Sequence, residues 1–254
     1  MSALSDRFPS ADPTRRIRSI ILASGDAGTG KTRFGLTGPV PILYQSLDKG
    51  LEGVVEEFVE AGKEIYVADY DWTPGADDFS QAFAREMRDK FIEDYLAALD
   101  AGARTIVWDK ETDVWEMFRY AEFGKPNEAP KDYAKLNQRY IAIVNAVKNY
   151  NASLMVIQAM KDTWGQVGPV SASTGKRGLA KTGEKARRGF ERMDELVFTE
   201  LHFRREPGEV GPEFTIDVGK CRQNSALQDQ SFPGMSFATF GTLLIPGTSE
   251  ADWS

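Results

Sequence analysis

Residues 16–32 read RIRSIILASGDAGTGKT, and the eight that close the stretch decide the fold. Gly25-Asp26-Ala27-Gly28-Thr29-Gly30-Lys31-Thr32 satisfies G-x-x-x-x-G-K-[ST] without deviation. Each residue type has a chemical reason. Glycines let the loop curl so that successive backbone N–H groups point inward at phosphate oxygens. A helix beginning at Gly30 adds its positive end. Lys31 reaches the β- and γ-phosphates of a nucleotide, and the Thr32 hydroxyl ligates Mg²⁺. The β-branched run from Arg16 to Ser24 is the buried strand that such a loop must follow. ATP and Mg²⁺ are therefore the expected ligands.

Outward from the loop, strands alternate with helices. Further strands are expected at Pro41–Leu47, Glu64–Tyr70, Arg104–Asp109 and Ser153–Ala159. An amphipathic helix is expected from the Asp48-Lys49-Gly50 turn to about Ala61, another over Phe79–Leu99 and another over Val114–Phe123. A long one runs from about Asp132 to Tyr150. Glu195–Arg204 and Phe214–Arg222 read as paired strands, and Phe232–Ile245 as a small hairpin. This alternation predicts an α/β fold of the P-loop NTPase class, a mainly parallel sheet covered on both faces, with late antiparallel strands. Two strand-helix units separate the loop from the Asp109 strand, which favours the RecA-like and AAA-like branch, where another strand lies between them. The expected division is a flexible tail over 1–14, an ATPase core over 15–230 and a C-terminal hairpin with an acidic tail over 231–254.

The chain has 254 residues, 41% hydrophobic and 27% charged, ordinary values for one globular domain. Its single cysteine, Cys221, excludes an internal disulfide framework and fits a reducing cytoplasm. No apolar run has a membrane-spanning length, so no membrane partner is expected. The net charge of −7 is unevenly spread. Lys176, Arg177, Lys181, Lys185, Arg187 and Arg188 face only Glu184 within 176–188, a local +5 that leaves −12 elsewhere. Such a segment suits anions. It lies in 162–189, which is rich in Gly, Ser, Thr and Lys, has no apolar period, and is expected to be a long mobile loop.

Asp109 ends an apolar strand, where a carboxylate holds the Mg²⁺ shell together with Thr32. Asp48, after the second strand, is either the carboxylate that RecA-like ATPases carry there to activate the attacking water, with Glu52 as fallback, or a turn residue before Gly50. Glu111 is either a base or the solvated first turn of a helix. Gln158 ends the fifth strand as a γ-phosphate sensor or a buried, satisfied amide. His202 reads as structural.

With Asp48-Lys49-Gly50-Leu51-Glu52-Gly53, the Asp109 strand, Gln158 and Gly219-Lys220-Cys221-Arg222 set in order after the loop, the chain resembles a phage group. These are RecA-like ATPases described as nucleotide-binding or single-strand-annealing recombination proteins. The resemblance covers about Arg16 to Arg222 and departs at Lys110, where many relatives carry a small hydroxyl residue. It implies that Lys220 and Arg222, two apart on one strand face, reach the ATP site of a neighbouring subunit in a ring or filament. It also implies that the basic loop binds single-stranded DNA, with Trp164 stacking on a base, alongside a single-strand-binding protein, in the cytoplasm of a host cell. Two other classes remain open. One is a nucleotide or small-molecule kinase with a basic lid, the other an ATP-switched helicase-loading or packaging adaptor.

Overall fold

The computed structural model describes residues 16–73, 79–124, 133–165, 168 and 180–254. The expected tail over 1–14, together with Lys176 and Arg177, lies outside them. Five strands run parallel through the centre. They are β1 (Ile20–Gly25), β2 (Ile42–Ser46), β3 (Ile65–Asp69), β4 (Thr105–Asp109) and β5 (Ser153–Gly165). β6 (Ala180–Arg188) runs antiparallel to the distal part of β5. β7 (Thr199–Pro207) lies parallel to β1, and β8 (Pro212–Cys221) and β9 (Ser231–Pro233) follow antiparallel. The order is β3-β2-β4-β5-β1-β7-β8-β9, with β6 off the path, nine strands among the described residues.

A strand does separate the loop strand β1 from the Asp109 strand β4, as expected. That strand is β5, from later in the chain, whereas β2 and β3 lie beyond β4 toward the sheet's edge. The fold is thus a mainly parallel α/β sheet with late antiparallel strands.

Strand burial explains the layering. Alternate residues of β1 and β4 point to opposite faces, and both faces are covered. On one, Ile20, Leu22, Ile106 and Trp108 pack on α3 (Gln81–Asp100), α4 (Glu111–Phe123) and α5 (Tyr133–Ala146) through Phe91, Tyr95, Phe118 and Tyr140. On the other, Ile21, Ala23, Tyr44 and Val107 meet α1 (Lys31–Leu36) and α7 (Phe237–Leu244) through Phe34, Leu36, Phe237 and Phe240. Ser80 caps α3 by accepting from the Phe83 amide at 3.1 Å. Two short helices, α2 (Val55–Glu60) and α6 (Met193–Leu196), complete the set.

Three expectations are corrected. The described parts of 162–189, expected as a mobile loop, are strand instead: β5 continues to Gly165 and pairs with β6, so they form a two-stranded arm. The C-terminal hairpin is instead helix α7, capped by Ser236, which accepts from the Thr239 amide at 3.0 Å. Nor is the end a free acidic tail. A 3-10 turn over Glu250–Trp253 buries the Trp253 indole against Phe237. No helix among the described residues is long and apolar enough to cross a membrane.

Candidate nucleotide site

Parallel register brings the C-terminal strand ends to one edge of the sheet. Ser24 lies level with Gln158, Ile157 with Asp109, Asp109 with Ser46, and Gly25 with Phe203. Ligands in open α/β sheets bind at such an edge. The chain turns off β1 at Gly25, whose φ is +138° and where a β-carbon would lie 2.3 Å from the Phe203 carbonyl oxygen. Only glycine permits that approach. Thr29 Oγ1 donates to the Asp26 carbonyl at 2.9 Å and closes the loop. Among the described residues, the amides of Ala27 to Thr32 donate to no protein acceptor, so the loop presents a cradle of free N–H groups.

Lys31 lies across this cradle, its Nζ donating to the carbonyls of Gly25 at 2.9 Å and Asp26 at 2.6 Å and to Thr29 Oγ1 at 3.2 Å. Partial burial lowers its pKa, opposed by the charges of Asp109 and Asp26. Thr32 Oγ1 approaches Asp109 Oδ2 at 3.5 Å. A hydroxyl and a carboxylate so placed are the hard oxygen donors Mg²⁺ takes beside phosphates and water. Among the described residues no cluster of three or more His, Cys, Asp or Glu forms a metal site, so phosphates would complete the shell. Burial raises the Asp109 pKa, and a hydrogen bond from the Tyr44 hydroxyl to Oδ2 opposes that shift.

Asp48 is near this centre but engaged. Its Oδ1 accepts from the Gly50 amide at 3.0 Å and its Oδ2 pairs with Lys110 Nζ at 3.0 Å. Gln158 is 3% exposed, and its Nε2 donates to Glu111 Oε2 at 2.8 Å. That is the arrangement of a satisfied buried amide. Glu111 is not a solvated first turn. Fully buried, it accepts from the Tyr140 hydroxyl at 2.7 Å, from Gln158, and from the Phe190 amide at 3.3 Å. Its oxygens are committed to protein donors rather than to a substrate water.

Burial pushes the Glu111 carboxyl from 4.5 up to about 7, against those three hydrogen bonds, which favour its charged form. The folded state therefore holds this proton more tightly than the unfolded one. The resulting stability is full below the ordinary pKa and is lost as pH rises through about 7. Urea melts should lose on the order of 3 kcal/mol from this group between pH 5 and pH 8. In Glu111→Gln that part of the slope should vanish, whereas parallel pH profiles for the two proteins would refute the assignment.

The arm extends from this same edge. Lys185 Nζ bonds both carboxylate oxygens of Asp26, at 2.6 and 2.7 Å, so the arm touches the loop. Lys181 pairs with Asp162, Arg187 with Glu200 at 3.1 Å, and Arg188 with Glu116. Each described cation of the basic segment thus has an acidic neighbour in its own chain. Trp164, opposite Lys181, is 59% exposed.

Lys220 and Arg222 lie where β8 ends, on its run toward the opposite edge. Of the two, only Arg222 reaches that edge. Lys220 is level with Glu200, itself level with Leu22 in mid-strand, and donates to the Asp194 carbonyl. The Arg222 amide donates to the Phe198 carbonyl at 2.8 Å. Phe198 in turn bonds Ile20, five residues before Gly25. At about 3.3 Å per residue that is roughly 17 Å of strand, beyond one side chain's reach of its own loop. The sequence reading missed Tyr44 on Asp109, and missed the pairing of Ser24 Oγ with His202 Nδ1 at 3.1 Å beneath the loop. It missed a cavity of 780 Å³ as well, lined by Thr29, Gly30, Phe214, Phe232 and Ser236.

The chain is similar to a KaiC-like protein from the hyperthermophilic archaeon Pyrococcus horikoshii, with 12% identity over 85% of this chain and 84% of that one. The TM-score is 0.47. No protein-family model matches the chain. No curated protein matches it either.

Proposed function

We propose that the protein binds ATP with Mg²⁺ on the Gly25–Thr32 loop, hydrolyses it, and does so as a homo-oligomer on single-stranded DNA in recombination or annealing. The observation that carries the nucleotide reading is the cradle of unpaired amides from Ala27 to Thr32, closed by Lys31 and bordered by Thr32 and Asp109. The amides hold phosphate oxygens, and Lys31 leaves its own carbonyls to meet the added negative charge. Thr32 and Asp109 would hold Mg²⁺, which on binding draws charge from the β- and γ-phosphates. The adjoining cavity has room for the nucleoside. Asp48 is the carboxylate nearest to a role on the attacking water, once Lys110 shares it.

Two features favour single-stranded DNA. Trp164 offers an exposed aromatic face on the arm. The arm's lysines and arginines are held in exposed, solvent-screened ion pairs, and a polyanion can exchange such partners readily. Displacing Lys185 from Asp26 would carry that exchange to the loop.

Replacing Lys181, Lys185, Arg187 and Arg188 by Glu tests this part. DNA affinity should fall and its salt dependence flatten, by a slope of about 0.7 in log K against log salt for each lost contact. Unchanged affinity and slope would make the arm a solvated surface. For the whole reading, phosphate release is measured with and without single-stranded DNA. Turnover raised by DNA supports it, and turnover indifferent to DNA leaves an ATPase of another kind.

A further inference from the structure

Arg205 is a cation without an acidic partner at the lip of the phosphate loop. On β7, residues two apart share a face. Phe203 packs edge-on against Phe34 of α1, so Arg205 continues along the same face, past the strand end and over the loop. A β-carbon placed on Gly28 would sit 3.6 Å from Arg205 Nη1. Its cross-strand neighbour on β8 is Phe214, whose ring lies 5.9 Å below the guanidinium and borders the cavity beside Thr29 and Gly30. Arg204, on the other face, is held by Asp217 and Glu206. Among the described residues Arg205 forms no ion pair, although Arg33 and Lys185, which also border the loop, both do.

From this placement we infer that Arg205 binds the terminal phosphates of the nucleotide held on the Gly25–Thr32 loop of its own chain. The inference rests on the reading that this loop takes a nucleoside triphosphate. The free amides of the loop face the same space, so Arg205 adds a full positive charge and a planar fork of donors where Lys31 supplies a point charge. The guanidinium stays over Phe214 in the free protein, and that stacking holds it in position before the anion arrives. A tetrahedral anion with several acceptor oxygens is the chemistry that suits it.

The test is calorimetric titration of wild type, Arg205→Ala, Arg205→Lys and Lys31→Ala with Mg·ATP and with inorganic triphosphate, which has no base. Arg205→Ala should bind both ligands about tenfold more weakly, and Arg205→Lys should recover part of the loss. Because Arg205 is exposed, melting temperatures should match wild type. Weaker ATP binding with unchanged triphosphate binding would overturn the inference, since Arg205 would then act through Phe214 on the base. Wild-type affinity for both in Arg205→Ala, with binding lost in Lys31→Ala, would overturn it and leave the phosphate site standing. A wild type that binds neither ligand overturns the inference together with the reading beneath it.

Discussion

Lys31→Ala is expected to lower ATP turnover by roughly 10²–10³-fold, the scale of losing one preorganised charge at a phosphoryl-transfer site. In the free protein Lys31 only bridges loop carbonyls and Thr29, so its loss removes no core packing. The melting temperature should therefore hold within a few degrees. Phosphate release and thermal melting on the same preparation check both halves. Turnover near the wild-type rate would remove the loop from the chemistry, and a collapsed melting temperature would make the assay a measure of folding.

The second large effect concerns assembly. Arg222 stands at the sheet edge opposite its own loop, so any role in hydrolysis is played on a neighbouring subunit. An arginine delivered in trans is worth about 10³–10⁵ in rate. Arg222→Ala should bind nucleotide as wild type does and hydrolyse it poorly. Mixing it with Lys31→Ala should restore part of the activity, because some junctions then join an intact loop to an intact Arg222. Activity that stays at the sum of the two variants, and that rises only in proportion to protein concentration, would leave Lys220 and Arg222 as strand residues.

The phosphate loop was legible in the sequence because its geometry is local, with eight consecutive residues carrying glycines, lysine and threonine. Asp109 was legible because an apolar strand ends on it. Tyr44 was not, since only the register of β2 against β4 sets its hydroxyl on Asp109. Glu111 and Gln158 were each visible singly, but their contact needs the pairing of β4 with β5, and its closure needs Phe190 from beyond the arm. β6 carries no hydrophobic alternation because both its faces are largely exposed, and its pairing with β5 holds it. Its ion pairs join positions far apart in the chain, as Lys185 and Asp26 do, so composition alone left the segment a free cationic loop. The helix at Phe237–Leu244 has a local sign, Ser236 as cap before an apolar run. Short apolar runs fit helix and strand alike, and the preceding β9 made a hairpin plausible.

The central claim is that a nucleoside triphosphate binds on the amides of Ala27 to Thr32. Titration of the wild type with Mg·ATP, followed by thermal melting at saturation, tests it independently of turnover. The account predicts one saturable site per chain, weakened when Mg²⁺ is chelated and lost in Lys31→Ala. ATP at about a hundred times its dissociation constant should stabilise the fold by about 2.7 kcal/mol. Absence of binding, or binding that survives Lys31→Ala at the wild-type affinity, would contradict it.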